Sequence, residues 1–330
     1  MIRSNINTER SDFKKVKDAD HIENVWLSIE KNVPLYFKKM INDLDELGTL
    51  KESGTFKIKN SVPDTRKLLS EIFDDGLYSY QKEDGKYKKF FALESMQEFE
   101  DEDEPKAFKS ALSTKVPVIL KARNSKREMM HEWQTRFATS KPADVYALFF
   151  NLITFMHEFI EEIDVKEFAE YDDILDLEGL SVLNDDDDYN VPGVIGMGIK
   201  AAVLYFLNPQ FFLPANKNTL YGFYFLSDCD NFRLPSGSSE FIMINDLKEE
   251  SNKRYNRNML IDQNYWYPYD LIILYGLRTF RLLEQECLKF NYKLSEEYRF
   301  VHLNTFMSHI WDMKIETINT MTGGDQEDAR

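Results

Sequence analysis

The apolar stretch VYALFFNLITFM, from Val145 to Met156, constrains the fold more than any other part of this 330-residue chain. At helical spacing it presents a wide apolar face, which several neighbouring elements must cover. Ser140 is expected to cap this helix and Pro142 to sit in its first turn. HEFIEEID follows at once, so the apolar run is shorter than a bilayer requires. A packed helical region is the consequence, and the pattern continues toward the C-terminus. VKEFAEYDDILDLEGL reads as helical up to about Gly179. YDLIILYGLRTFRLLEQECLKF, started by Pro268, and SEEYRFVHLNTFMSHIWDMKIETINTM, capped by Ser295, read as two long closing helices.

The first third reads differently. IENVWLSIEKNVPLYFKKMINDLDEL has helical spacing that Pro34 interrupts or restarts. GTFKIKN alternates like a strand, and PDTRKLLSEIFDDG resembles a short helix ending at Gly76. LYSYQKEDGKYKKFFAL has the form of a hairpin turned at Asp84-Gly85. The acidic block EFEDEDEP (Glu98–Pro105) suits a solvated loop, and KARNSKRE (Lys121–Glu128) then reverses the sign of the charge. The expected fold class is therefore α+β and mostly helical. A small mixed α/β domain over residues 1–115 is followed by a larger helical domain over 116–330.

Composition narrows the function classes. With 43% hydrophobic residues, 25 Phe and 17 Tyr, the chain can fill a core, which excludes disorder along its whole length. Its formal charge of −16 argues against a broad basic face wrapping duplex DNA, so any nucleic-acid contact is expected to be local. Cys229 and Cys287 are the only cysteines, too few for a four-cysteine metal site, and a reducing cytoplasm is the natural setting. MIRSNINTERSDFKKVKDADH has no apolar core of the kind a signal peptide needs, and no membrane contact is expected.

The most informative motif is PGVIGMGIKAAVLYFL. Gly196 and Gly198 flank Met197, and Lys200, Ala201 and Ala202 lead into an apolar helix. Such a turn can be a tight corner between packed helices. It can also be an anion cradle, because glycine allows close backbone approach and a helix beginning there points free N–H groups outward. The stretch resembles the helix–hairpin–helix motif of DNA-binding proteins. More narrowly, it is similar to that motif in the endonuclease III-like DNA glycosylase superfamily. Gly196, Met197, Gly198, Lys200 and Ala202 match the hairpin, and Phe212, Leu213 and Pro214 match the apolar-Pro segment that follows it. Lys200 stands where bifunctional members carry a Schiff-base lysine. Asn218-Thr219 falls where the superfamily has Asp-Thr, so the resemblance implies the fold and backbone binding without base excision. The apolar helix running into YFLNPQFFLPANKNT, from Tyr205 to Thr219, also looks like helical segments of bacterial restriction and phage-defence proteins.

Other candidates are weaker. Lys253, Arg254 and Arg257, followed by Tyr265, Trp266 and Tyr267, interleave cations with aromatics as a single strand or flipped base would require. The same aromatics could equally plug the core. Pro63-Asp64 with Glu104-Pro105-Lys106 spells a P-D…E-x-K nuclease pattern. NDDDDYN and SDCDN lack the spacing of an EF-hand loop. His157 stands alone among carboxylates, and His302 and His309 lie two helical turns apart.

The sequence therefore points to a non-catalytic, cytoplasmic, bacterial DNA-binding component of a restriction or phage-defence system. Its DNA contacts are expected from Gly196, Met197, Gly198, Lys200, Ala201, Lys253, Arg254, Arg257, Tyr265 and Trp266. The partners are DNA, met through its backbone, and a protein of the same system; no cofactor and no metal are expected. The alternatives are an acidic protein–protein adaptor, sensor or inhibitor, and a metal-dependent nuclease using Asp64.

Overall fold

A computed structural model describes residues 12–52, 64–99, 104–235, 237, 239–244, 261–263 and 267–322. The helices are α1 (Ala19–Glu52), α2 (Thr65–Phe90), α3 (Leu93–Gln97), α4 (Glu104–Lys115), α5 (Pro117–Asn124), α6 (Glu128–Thr139) and α7 (Pro142–Glu162). They continue with α8 (Val165–Glu170), α9 (Val182–Asp185), α10 (Met197–Leu207), α11 (Lys217–Leu226), α12 (Tyr269–Leu288), α13 (Arg299–Met313) and α14 (Ile315–Thr322). A 3₁₀ segment, Ile174–Ser181, follows α8. Among the described residues the only strands are β1 (Ile242–Ile244) and β2 (Ile261–Gln263), paired antiparallel with Met243 opposite Asp262.

The chain is thus helical rather than α+β, and the described part of the N-terminal region contains no strand. The segment read as a hairpin lies inside α2, which runs through both Gly76 and Asp84-Gly85 to Phe90. Its buried residues, Leu69, Ile72, Phe73, Tyr80, Tyr87 and Phe90, form a helical stripe against α10 and α13. That burial outweighs the roughly 1 kcal/mol an interior glycine costs a helix. Asp84 also pairs with Lys88 one turn on, at 2.7 Å. The strand expected over GTFKIKN lies outside the described residues.

Pro34 does not break α1. The ring removes one backbone donor, but Val25, Ile29, Val33, Tyr36, Phe37 and Met40 bury a continuous stripe, and Asn32 donates to the Leu226 carbonyl at 2.9 Å. Helix α7 buries Val145, Leu148, Phe149, Leu152, Ile153, Met156 and Phe159 on its face toward the core. It is the one described helix long and apolar enough to cross a membrane by length and composition. Ser140, expected as its cap, instead donates to the Phe137 carbonyl at the end of α6, and Lys141 takes the cap position without a side-chain bond.

Helix α12 is the central element. Every residue from Tyr269 to Phe280 is buried, and α1, α13 and the 3₁₀ segment pack on it. The buried guanidinium of Arg278 is held by Glu23 of α1 at 2.8 Å and by Asp172 at 3.0 Å. One hydrophobic cluster extends from Val16 to Ile318, so the core crosses residue 115 without interruption.

Helices α2 and α13 meet at Gly76, where an added Cβ would fall 2.0 Å from the Thr305 Oγ1. Thr305 is β-branched and its hydroxyl donates to the Val301 carbonyl at 2.8 Å, so it cannot swing aside freely. Gly76→Ala is expected to cost about 1–3 kcal/mol in urea unfolding. Adding Thr305→Ala should restore most of that loss. Full stability of the single variant would show that the two helices are not locked at this point.

Candidate nucleic-acid interface

The turn before α10 is closed by a bridge between Val191 and Ile195, with the Val194 and Ile195 N–H groups donating to the Val191 carbonyl at 2.9 and 3.0 Å. The glycine that needs its conformational freedom here is Gly193, at φ +70°. Gly196 is the N-cap of α10 in ordinary extended geometry, φ −99° and ψ 178°. It is exposed, and an added Cβ there would meet nothing within 4 Å. Gly198 is half-buried, with the Ala215 carbonyl 3.5 Å from where a Cβ would lie.

Lys200 does not reach toward a ligand. It is 3% exposed, and its ammonium donates to the carbonyls of Leu183 and of Tyr189, the latter at 2.8 Å. Desolvation pushes its pKa down to about 8. The lysine closes the loop carrying NDDDDYN onto α10 from inside the protein. Met197 and Ala201 are also buried, so neither offers a side chain to a phosphate. What the motif leaves at the surface is the backbone at the helix start, where the first amides have no partner within the helix.

A second element supplies charge there. Helix α6 docks on the turn: the Trp133 Nε1 donates to the Val194 carbonyl at 2.7 Å, and the Arg136 guanidinium packs directly on Gly193. Arg136 is exposed and pairs with Glu132 one turn earlier. It belongs to a segment, Lys106–Lys141, with nine lysines and arginines against two glutamates, so this part of an acidic chain is locally cationic. Lys106, Lys115, Lys121, Arg123, Lys126 and Lys141 are exposed along it. Polar bonds hold its helices together. The Gln134 amide donates to the carbonyls of Ala122, Arg123 and Ser125 at the end of α5, and Lys109 donates to those of Ala138 and Ser140 at the end of α6. KARNSKRE, where the sequence reverses the sign of its charge, is the middle of this segment. The opposing charge is nearby: Asp186, Asp187 and Asp188 are exposed in the loop that Lys200 secures.

No protein-family model, curated protein or solved structure matches the chain.

Among the described residues, the remaining candidates do not converge on the turn. Lys253, Arg254, Arg257, Tyr265 and Trp266 lie outside the described residues. Tyr267 is 1% exposed and donates to the Glu240 Oε1 at 2.8 Å, so it is a core residue rather than a stacking platform. Glu240 in turn contacts the His21 Nε2 at 2.9 Å in a buried pair. Asn218 donates to the Ser308 Oγ at 2.8 Å. Asp64 of the nuclease pattern is the N-cap of α2, accepting from the Lys67 N–H, and Glu104 opens α4. Both acids stand on helix starts rather than strands. Burial lowers the pKa of His302 to about 4. Among the described residues no three His, Cys, Asp or Glu side chains are grouped to hold a metal ion.

Because Lys200 has a folded pKa of about 8, below its ordinary value of 10.5, the native state releases this proton before the unfolded chain does. Its burial penalty is complete below about pH 8 and shrinks as pH rises toward 10. Relative to Lys200→Met, the wild type should therefore gain roughly 1.4 kcal/mol of stability per pH unit across that window. Denaturant melts of both proteins measure this difference, and a flat one would mean that the ammonium is solvated.

Proposed function

We propose that this chain is a non-catalytic nucleic-acid-binding protein that holds duplex DNA by its phosphate backbone. The contacts come from the exposed start of α10 and the cationic α4–α6 segment. The observation that carries the reading is the seating of Arg136 and Trp133 on the turn at Gly193–Val194, which joins a locally basic surface to the exposed N-cap of α10, Gly196. Partial positive charge at that N-terminus and mobile cations beside it are the two means by which proteins take phosphate without reading bases. Lys200 has no part in the contact; it shapes the turn from within. The likeness of the stretch from Tyr205 to Thr219 to segments of bacterial restriction and phage-defence proteins supports a role in such a system, with a protein partner there.

Gly196→Asp separates binding from folding. Aspartate is a favoured N-cap residue and has room at this position, so the variant should be at least as stable as the wild type. Its carboxylate would nevertheless occupy the anion position. Fluorescence anisotropy with a labelled duplex should give dissociation constants in the range of about 10⁻⁴ to 10⁻⁶ M, weakening steeply as salt rises. Gly196→Asp should weaken binding about tenfold, and Lys126→Glu/Arg136→Glu should also lower the salt slope by roughly two. Isotherms that superimpose for all three proteins would overturn the reading. Absence of binding at any salt would favour the acidic adaptor, in which the exposed run Asp186–Asp188 docks a basic protein.

A further inference from the structure

Helix α2, the last turns of α10, the start of α11 and α13 enclose an open cleft of about 730 Å³. Its volume is that of a small-molecule site. One wall is aromatic. The Tyr80 ring stacks on Phe206 at 5.5 Å and 10°, and meets Tyr205 edge-on at 5.3 Å. The wall is fixed in place, since the Tyr80 hydroxyl donates to the Phe206 carbonyl at 3.0 Å. An amide pair adds polar groups, with the Asn216 Nδ2 donating to the Asn304 Oδ1 at 3.3 Å. The ionic lining is of one sign: Glu71, Asp75 and Asp312 contribute carboxylates, Glu71 also facing Lys67 at 3.7 Å, and among the described residues no lysine or arginine lines the cleft. His309 also lines it, and burial lowers the pKa of its imidazole, which disfavours a positive charge there.

We infer that this cleft binds a small organic cation bearing an ammonium or guanidinium head. The hydrocarbon or planar part lies on the Tyr80–Tyr205–Phe206 wall and the head sits among the carboxylates. Two features agree on the sign. Aromatic faces carry negative potential and attract cations. The carboxylates would repel a phosphate or carboxylate ligand. The last turn of α10 brings a negative helix end to the cleft and the Asn216 N-cap of α11 a positive one, so the helix dipoles do not decide between signs. The inference goes beyond the nucleic-acid reading and does not rest on it, because none of the cleft residues belongs to α4–α6 or to the turn at Gly193–Gly196.

Calorimetric titration of the full chain tests it with three probes. Agmatine supplies a guanidinium and an ammonium, N-acetyl-arginine amide presents the guanidinium as a polypeptide would, and guanidinobutyrate offsets it with a carboxylate. Saturable binding of either cation is expected, at least about fivefold tighter than guanidinobutyrate. Preference for agmatine assigns the site to a free amine, and preference for the capped arginine assigns it to a side chain of a partner protein. Either preference bears out the cation. Glu71 and Asp75 are exposed, so Glu71→Gln/Asp75→Asn should leave the melting temperature and duplex titration unchanged while weakening the cations about fivefold. Failure of both cations to saturate, equal binding of guanidinobutyrate, or undiminished binding by the double variant would overturn the inference.

Discussion

The arrangement around α10 depends on one buried ammonium. A lysine taken out of water costs several kcal/mol unless acceptors surround it. Lys200 meets two, the carbonyls of Leu183 and Tyr189, which lie 17 and 11 residues back along the chain. Those two bonds tie the loop between α9 and α10 to the helix that follows it. The loop's own turn is then set by the left-handed Gly193 and clamped from outside by Trp133 and Arg136. With the loop held on one side and α6 on the other, Gly196 is left facing solvent at the head of the helix. A residue that sequence spacing presents as a ligand for phosphate instead fastens the loop to α10 from within.

Legibility followed the range of the interactions. The stripe on α7 and the apolar run of α12 announce themselves locally, because a helix that buries its side chains must repeat them at helical spacing. Helix α2 was misread for an equally local reason. Asp84-Gly85 is a strong hairpin signal, yet the same stretch carries Tyr80 and Tyr87 seven residues apart on one helical face, and both rings stack on Phe206 of α10. Contact with a helix more than a hundred residues away decided between two acceptable local patterns. The destination of Lys200 was similarly hidden, since nothing in GIKAAV distinguishes an ammonium turned outward from one turned onto backbone carbonyls. Charge reversal in KARNSKRE was visible in the sequence. Its relation to the turn was not, because that rests on the bond from Trp133 to Val194, 61 residues apart.

The acidic run EFEDEDEP, read from sequence as a solvated loop, shows the same limit of local patterns, because a run of like charge is a poor core former. Yet Phe99 and Phe108, close to its two ends, contact each other at 5.5 Å, and Phe108 is wholly buried against Tyr146 and Phe149 of α7. The charged run therefore interrupts the hydrophobic pattern without interrupting the hydrophobic core. Local polarity marks where the chain meets water, which is not the same as where one folding unit ends.

Helix α10 joins the two surfaces considered above, and its own electrostatics fit both. Its eleven residues span roughly 16 Å, with partial positive charge at Gly196–Gly198 and partial negative charge in the turn containing Tyr205 and Phe206. The basic α4–α6 segment lies against the first end and the carboxylates of Glu71, Asp75 and Asp312 surround the cleft at the second. Charged side chains placed this way add to the field of each terminus for an incoming ligand of opposite sign, at some cost to the resting protein. At the first end the exposed Asp186–Asp188 offset part of the basic field, as acids near a helix start do. The cost is small because most of these groups are exposed and screened, and it is met by the burial of Ala201, Val203 and Leu204 along the helix between them. The two proposals thus address the ends of α10 to partners of opposite sign: an anion at Gly196 and a cation at Phe206.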